Sequence, residues 1–235
     1  MKALILAAGI GSRLAPLTDR MPKSLIPING KPILLKQIEN LYLNDVSEIT
    51  VVSGYQAELL ERTVHEQFPN INVLFSKDYA TTNNMYSAYF GREAVVGDAF
   101  LMMNADVFFD SSVISALLAF DYPDAIVVDI GRYLEESMKV VERNGKLVEI
   151  SKQITHEAAL GVSIDIYKFS PKSGEAFFAR CADYIEWQGE RKKWSEVALN
   201  DILPDCDFRA CPLDGRWFEI DNYEDMKAAE ALFAV

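Results

Sequence analysis

The apolar run Ala3-Leu4-Ile5-Leu6-Ala7 leads straight into Ala8-Gly9-Ile10-Gly11-Ser12, and this junction constrains the fold more than any other stretch of the chain. A short, continuous apolar run that ends in glycines reads as a buried strand, and strands buried on both faces belong to parallel sheets covered by helices. The glycines then permit either a tight turn or close approach of backbone amides to an anion. A βαβ rhythm follows. The pattern predicts a helix over 32–44 with Pro32 in its first turn, a strand over 48–53, an amphipathic helix over 55–67 and a strand over 71–75. Further strands are expected over 99–103 and 125–130, with a helix between them that Asp110-Ser111-Ser112 can cap. Asn144-Gly145 divides 138–142 from 146–151 as a hairpin. Helices over 175–181, 194–203 and 222–234 and strands over 208–211 and 216–220 complete the expectation. The fold class is therefore α/β: a Rossmann-like, mostly parallel mixed sheet with flanking helices and added antiparallel strands, in one domain spanning 1–235.

Half of the residues are hydrophobic and a quarter charged, which excludes a largely disordered chain. Lys plus Arg number 23 against 35 Asp plus Glu, a formal charge of −12, so no polynucleotide partner is expected. No apolar run approaches the length of a membrane span, and the strand at the start is not a secretion signal. Those features predict no membrane insertion and a cytoplasmic location. Cys181, Cys206 and Cys211 form no ligand cluster with His65 or His156, which argues against a zinc centre or a disulfide framework. The pattern leaves a homo-oligomer open.

Two familiar phosphate-binding readings of the opening fail. Leu14 stands where a dinucleotide fingerprint needs its third glycine, and Gly30-Lys31 is followed by Pro32 rather than the Ser or Thr of a P-loop. The blocks Ala7-Ala8-Gly9-Ile10-Gly11-Ser12-Arg13-Leu14 and Pro22-Lys23 instead resemble the signature of nucleotidyltransferases that activate sugar phosphates and related compounds. The resemblance implies that Leu6, Ala7, Ala8, Gly9, Gly11 and Ser12 cradle a nucleoside triphosphate, with Arg13 and Lys23 near its β and γ phosphates.

Asp106 ends one expected strand and Asp221 another, and either carboxylate, taken alone, serves equally well as a helix cap. The resemblance makes them the pair that binds Mg²⁺, a hard cation suited to oxygen ligands. Glu219 is expected on the opposite face of its strand and is the weaker candidate. The resemblance also implies that Lys139 holds the acceptor's phosphoryl group and Lys152 a shared phosphate region; read alone, both are ordinary sheet-edge lysines.

The stretch Ala80-Thr81-Thr82-Asn83-Asn84-Met85-Tyr86-Ser87 and the later Trp194-Ser195-Glu196 look closest to choline-phosphate and 2-aminoethylphosphonate cytidylyltransferases. That likeness implies transfer from CTP to a small phosphorylated or phosphonated acceptor. Asn83 and Asn104 join the nucleotide set, although Asn83 can equally cap a helix. Tyr86, Lys139, Tyr184, Trp194 and Glu196 form the expected acceptor set, with Trp187 and Glu186 nearby; the aromatics can equally pack the core. A sugar-1-phosphate nucleotidyltransferase and a noncatalytic nucleotide sensor are the alternatives.

Overall fold

A computed structural model describes residues 1–234. In chain order the elements are β1 (Lys2–Ala7), β2 (Pro27–Ile28), β3 (Lys31–Pro32), α1 (Ile33–Tyr42), β4 (Glu48–Ser53), α2 (Ala57–Gln67), β5 (Asn72–Phe75) and α3 (Asn84–Phe90). Then come β6 (Phe100–Asn104), β7 (Val107–Phe109), α4 (Ser112–Ala119), β8 (Ala125–Ile130), β9 (Lys139–Arg143), β10 (Lys146–Ser151) and β11 (Gly161–Phe169). The chain continues through α5 (Pro171–Ala182), a π-turn over Asp183–Trp187, α6 (Ser195–Ile202), β12 (Arg209–Pro212), β13 (Trp217–Glu219) and α7 (Tyr223–Leu232).

Nine strands form one sheet, its path running β10-β9-β11-β6-β1-β4-β5, with β8 on the other edge of β11 and β12 beyond it. The β5-β4-β1-β6 half is parallel, while β11 runs antiparallel to β6, β8 and β9. Strand β1 shows why the opening run reads as central. Ala3, Ile5 and Ala7 enter the core formed with α1, α2 and α4, whereas Leu4 and Leu6 enter the opposite core, shared with α3, α5 and α6. Each fully buried aliphatic side chain contributes about 1.5–3 kcal/mol, so covering both faces fixes the strand's place in the sheet. A third cluster joins Leu14, Ile26, Ile28 and Ile33 to Phe108, Ile220 and Phe233, tying the entrance loop to the carboxyl-terminal segment.

Local chemistry sets the boundaries. Asn144 and Gly145 both take positive φ, 53° and 76°, as the tight hairpin between β9 and β10 requires. Ser170 accepts a hydrogen bond from Ser173 N–H ahead of Pro171 at the start of α5, and Asn222 and Asp225 make a reciprocal capping box at α7. Pro32 precedes α1 rather than opening it, and the helix ends at Tyr42. The longest strand, β11, was not anticipated, nor was β7. No helix among the described residues is long and apolar enough to cross a membrane.

Candidate active site

The carboxyl ends of β1 and β6 open into a cleft of about 360 Å³, floored by the glycine-rich loop. Gly11 has φ 69°, and a Cβ on it would stand 2.6 Å from Lys23 Cβ, so glycine both makes the turn and admits the lysine. The Thr18 hydroxyl donates to Gly11 O at 3.1 Å and closes the loop behind it. Gly9 has open space around it, which leaves its backbone accessible from the cleft.

Two strands far apart in sequence bring the acids together. Trp217–Glu219 pairs antiparallel with Val107–Phe109, placing Glu219 opposite Val107, and Ile220 N–H donates to Asp106 O at 2.9 Å. Gln37, buried on α1, clamps the preceding turn by donating to Asn104 O and Val107 O at 2.9 and 2.8 Å. Lys23 Nζ then bridges Asp106 Oδ2 and Asp221 Oδ1, each at 2.8 Å, while Arg13 reaches the same Asp221 oxygen at 2.8 Å. Neither carboxylate caps a helix: the cap of α7 is Asn222.

One ligand oxygen from each of Asp106, Glu219 and Asp221 falls within 4.8 Å of the others. This corrects the weaker standing given to Glu219, since residues two apart along extended chain return to the same face. Burial and the neighbouring Asp106 and Asp221 push Glu219 up to about 7, against the pull of Lys23 and Lys152. Burial also works against the charge of Asp221, but Lys23 and Arg13 overrule it and hold the carboxyl below its ordinary range. Lys23 is likewise penalised by burial, yet Asp106 and Asp221 raise it well above the usual lysine value. The donor set suits a divalent cation: all three ligands are hard oxygens, and Asp106 Oδ1 is buried without a hydrogen-bond partner.

Leu6, Ala7, Ala8, Gly9, Gly11, Ser12, Arg13 and Lys23 all line the cleft, as do Asn83, Asn104, Asp106, Lys152, Trp194, Glu196 and Asp221. Lys152 lies 4.7 Å over the Trp194 ring. Three expected residues are not brought there. Lys139 is fully buried, with Nζ donating to Glu135 O and Lys152 O at 2.7 Å each; burial pushes its ammonium down. Tyr86 donates to Asp78 and Tyr184 to Asp201, both away from the lining. Trp187 is 81% exposed, and Glu186 accepts from Tyr89. Asn83 does cap α3, its side chain accepting from Asn84 N–H, while still facing the cleft.

Sequence reasoning missed Asp165, Ser24, Tyr79 and Ser137 in the lining. Ser24 adjoins Pro22-Lys23 and its buried hydroxyl has no partner, so the motif block itself carried that signal. For Asp165 the signal was the alternation of Val162-Ser163-Ile164-Asp165-Ile166, a strand pattern absent from the expected elements.

Comparison with known proteins matches residues 2–138 to the family model described as Nucleotidyl transferase. The choline-phosphate cytidylyltransferase of Streptococcus pneumoniae is 40% identical over 93 residues, 40% of each chain. The CMP-5'-(3-aminopropyl)phosphonate synthase of Streptomyces rubellomurinus is 33% identical over 248 aligned positions, covering 100% of this chain but 39% of that protein. The chain thus matches well under half the length of either relative. In three dimensions, the CTP:phosphocholine cytidylyltransferase from Streptococcus pneumoniae superposes with a TM-score of 0.82 at 23% identity, covering 98% of this chain and 97% of the other. At that identity the likeness speaks for the fold.

Proposed function

Because the chain belongs to the nucleotidyl transferase family, we propose that it transfers the cytidylyl group of CTP to a small phosphorylated or phosphonated amine or alcohol and releases pyrophosphate. The observation that carries this reading is the meeting of Arg13 and Lys23, beneath a glycine-rich loop, with carboxylates delivered from β6 and β13. The names of the two curated relatives supply the cytidylyl donor and the phosphorylated or phosphonated acceptor as the chemistry to test first.

The acceptor's phosphate or phosphonate oxygen is already nucleophilic, so no serine, cysteine or histidine is needed. It forms a bond to the α phosphorus as the bridge to the β phosphorus breaks, and the departing pyrophosphate takes the electron pair. Arg13 and Lys23 oppose the charge that accumulates on the leaving group. Lys152, held over Trp194 and fixed through its carbonyl by Lys139, orients the acceptor's phosphoryl group. Asn83 and Asn104 offer hydrogen bonds to the nucleotide. Asp106 and Asp221, with Glu219 beside them, would hold Mg²⁺, whose charge neutralises that of the α phosphate. We place this chemistry in the cytoplasm.

A matrix of nucleoside triphosphates against phosphorylated acceptors, read by pyrophosphate release, tests the reading. CTP with a small phosphorylated amine or alcohol is expected to turn over best. Turnover confined to hexose 1-phosphates overturns the acceptor class, and nucleotide binding without pyrophosphate from any acceptor overturns the chemistry.

A further inference from the structure

Asp165 stands at an irregularity in β11. On one edge the strand pairs with β8, but Ser163 faces Val128 and Tyr167 faces Ile126, so extra residues bulge between them. On the other edge β11 pairs with β9 through Gly161 and Val162, then with β6 from Ile166 onward. Asp165 lies in the gap between those two partners, at φ 58°, and its side chain reaches the cleft.

There it belongs to a closed ring of hydrogen bonds whose direction can be read. Ser195 N–H, a backbone donor that cannot reverse, donates to Asn84 Oδ1 at 2.8 Å. Asn84 therefore presents Nδ2 to Asn104 Oδ1 at 3.3 Å, and Asn104 in turn presents Nδ2 to Asp165 Oδ2 at 2.9 Å. The Tyr167 hydroxyl lies 3.0 Å from Asp165 Oδ1 and 2.9 Å from Glu196 Oε1, and the Ser195 hydroxyl donates to that same Oε1 at 3.1 Å. A phenol has one proton, so it can donate to only one of two carboxyl groups; the other contact is favourable only if that carboxyl carries a proton and donates it.

The two carboxyls are not equivalent. Asp165 receives Asn104 on Oδ2 and leaves Oδ1 for the phenol, the division of a neutral acid between its carbonyl and hydroxyl oxygens. Glu196 receives both donors on Oε1, the pattern of a carboxylate. Glu196 is only 2% exposed, lines the cleft, and takes no hydrogen bond on Oε2 among the described residues, nor has it a cationic partner there. A buried carboxylate with one oxygen left open at a ligand cleft calls for a cation from the ligand.

We propose that Asp165 is a positioning residue: held as the neutral acid, it donates to Tyr167, which donates to Glu196 and aims that carboxylate at the ammonium group of an amine acceptor. The assignment rests on the cytidylyltransferase reading of the cleft. Burial and the carboxylates of Glu196, Glu219 and Asp106 all push Asp165 well above the ordinary aspartate range, against the Asn104 hydrogen bond. Burial, with the Glu196 carboxylate beside it, raises Tyr167 in the same way and keeps the phenol protonated.

An asparagine at 165 reproduces the neutral acid, with its oxygen toward Asn104 and its amide donating to Tyr167, and it tolerates a left-handed φ as well as aspartate does. The test compares the full chain with D165N, Y167F and E196Q, using CTP, Mg²⁺ and either phosphoethanolamine or the neutral 2-hydroxyethyl phosphate. D165N should keep the amine-to-neutral ratio of kcat/KM within threefold of the parent. Y167F and E196Q should each lower it at least tenfold, chiefly through the amine's KM. Equal loss of the ratio in D165N and E196Q overturns the proposal, because Asp165 would then be charged and meet the ammonium itself; an unchanged ratio in Y167F overturns it too. A second measurement does not depend on turnover: the parent-minus-D165N infrared difference spectrum at neutral pH, in which the contribution of Glu219 cancels, should contain the C=O band of a protonated carboxyl, and its absence overturns the assignment. Failure of every acceptor to release pyrophosphate would instead defeat the transfer reading, with the infrared band still deciding the proton.

Discussion

Gly11 lies so close to Lys23 that a methyl group on the glycine would stand 2.6 Å from the lysine's Cβ. The loop cannot yield by rotating a flexible side-chain end, because the atom it meets is anchored to the main chain. Gly11→Ala should therefore displace Lys23 from Asp106 and Asp221, on top of about 1–2 kcal/mol for the left-handed backbone. The expected result is a kcat/KM for CTP lowered by roughly tenfold or more. Gly9→Ala, with no atom within 4 Å of the added carbon, is its control for packing. Equal activity in Gly11→Ala and the parent would show that the loop adjusts.

Asp106→Asn and Asp221→Asn each keep an oxygen for Lys23 but remove a charge from the three-carboxylate cluster. In Asp106→Asn the new amide falls where the partnerless Oδ1 now lies. Loss of a charged ligand should cost about 10²-fold or more in Mg²⁺-dependent turnover, with little change in circular dichroism or melting temperature. Near-parental rates across a Mg²⁺ titration would remove that residue from the metal site.

Lys139 and Lys152 look alike in sequence and should fail differently. Lys139→Met strands the Glu135 and Lys152 carbonyls that its buried ammonium now satisfies, a loss of about 1–3 kcal/mol for each group left unpaired. Its melting temperature should fall clearly, with a smaller and indirect loss of activity. Lys152→Met should melt like the parent while its acceptor KM rises. Thermal melts alongside acceptor titrations separate the two, and a stable but inactive Lys139→Met would restore that residue to a direct role.

Those two lysines also show where reading the sequence stops. Strand β1, the glycine turn and the Asn144-Gly145 hairpin are local: each rests on residues within a few positions of one another, and each was legible. Whether a strand lysine is exposed or buried depends on the carbonyls brought to it from 135 and 152. The meeting of Asp106 with Asp221 depends on the ladder between β7 and β13, so only the family likeness paired them. Strand β11 was legible but unread: Val162, Ile164 and Ile166 alternate with Ser163 and Asp165, the period of a half-buried strand, and only what its polar residues meet was hidden. Their partners are distant: Lys168, for example, is buried because Leu117 and Phe120 supply carbonyls to its ammonium.

Asp165 carries a stability prediction with a definite sign. Its folded-state pKa lies well above the ordinary value of 3.8, so folding favours the protonated form. The stability this contributes is complete below the unfolded value and is lost as pH rises through the folded one, because the unfolded chain then releases a proton that the native ring retains. Asp165→Asn keeps the ring's hydrogen bonds and has no proton to lose. The variant and the parent should melt closest together near pH 4, where the unfolded chain still holds its proton, and Asp165→Asn should become progressively the more stable as pH rises above that. For a chain of this length each kcal/mol corresponds to about 2–4 °C. Melting curves collected from pH 4 to 8.5 measure the difference directly. A constant offset across that range would mean that Asp165 does not titrate on unfolding, and a parent that gains on the variant with rising pH would mean that the native state holds Asp165 as the charged form.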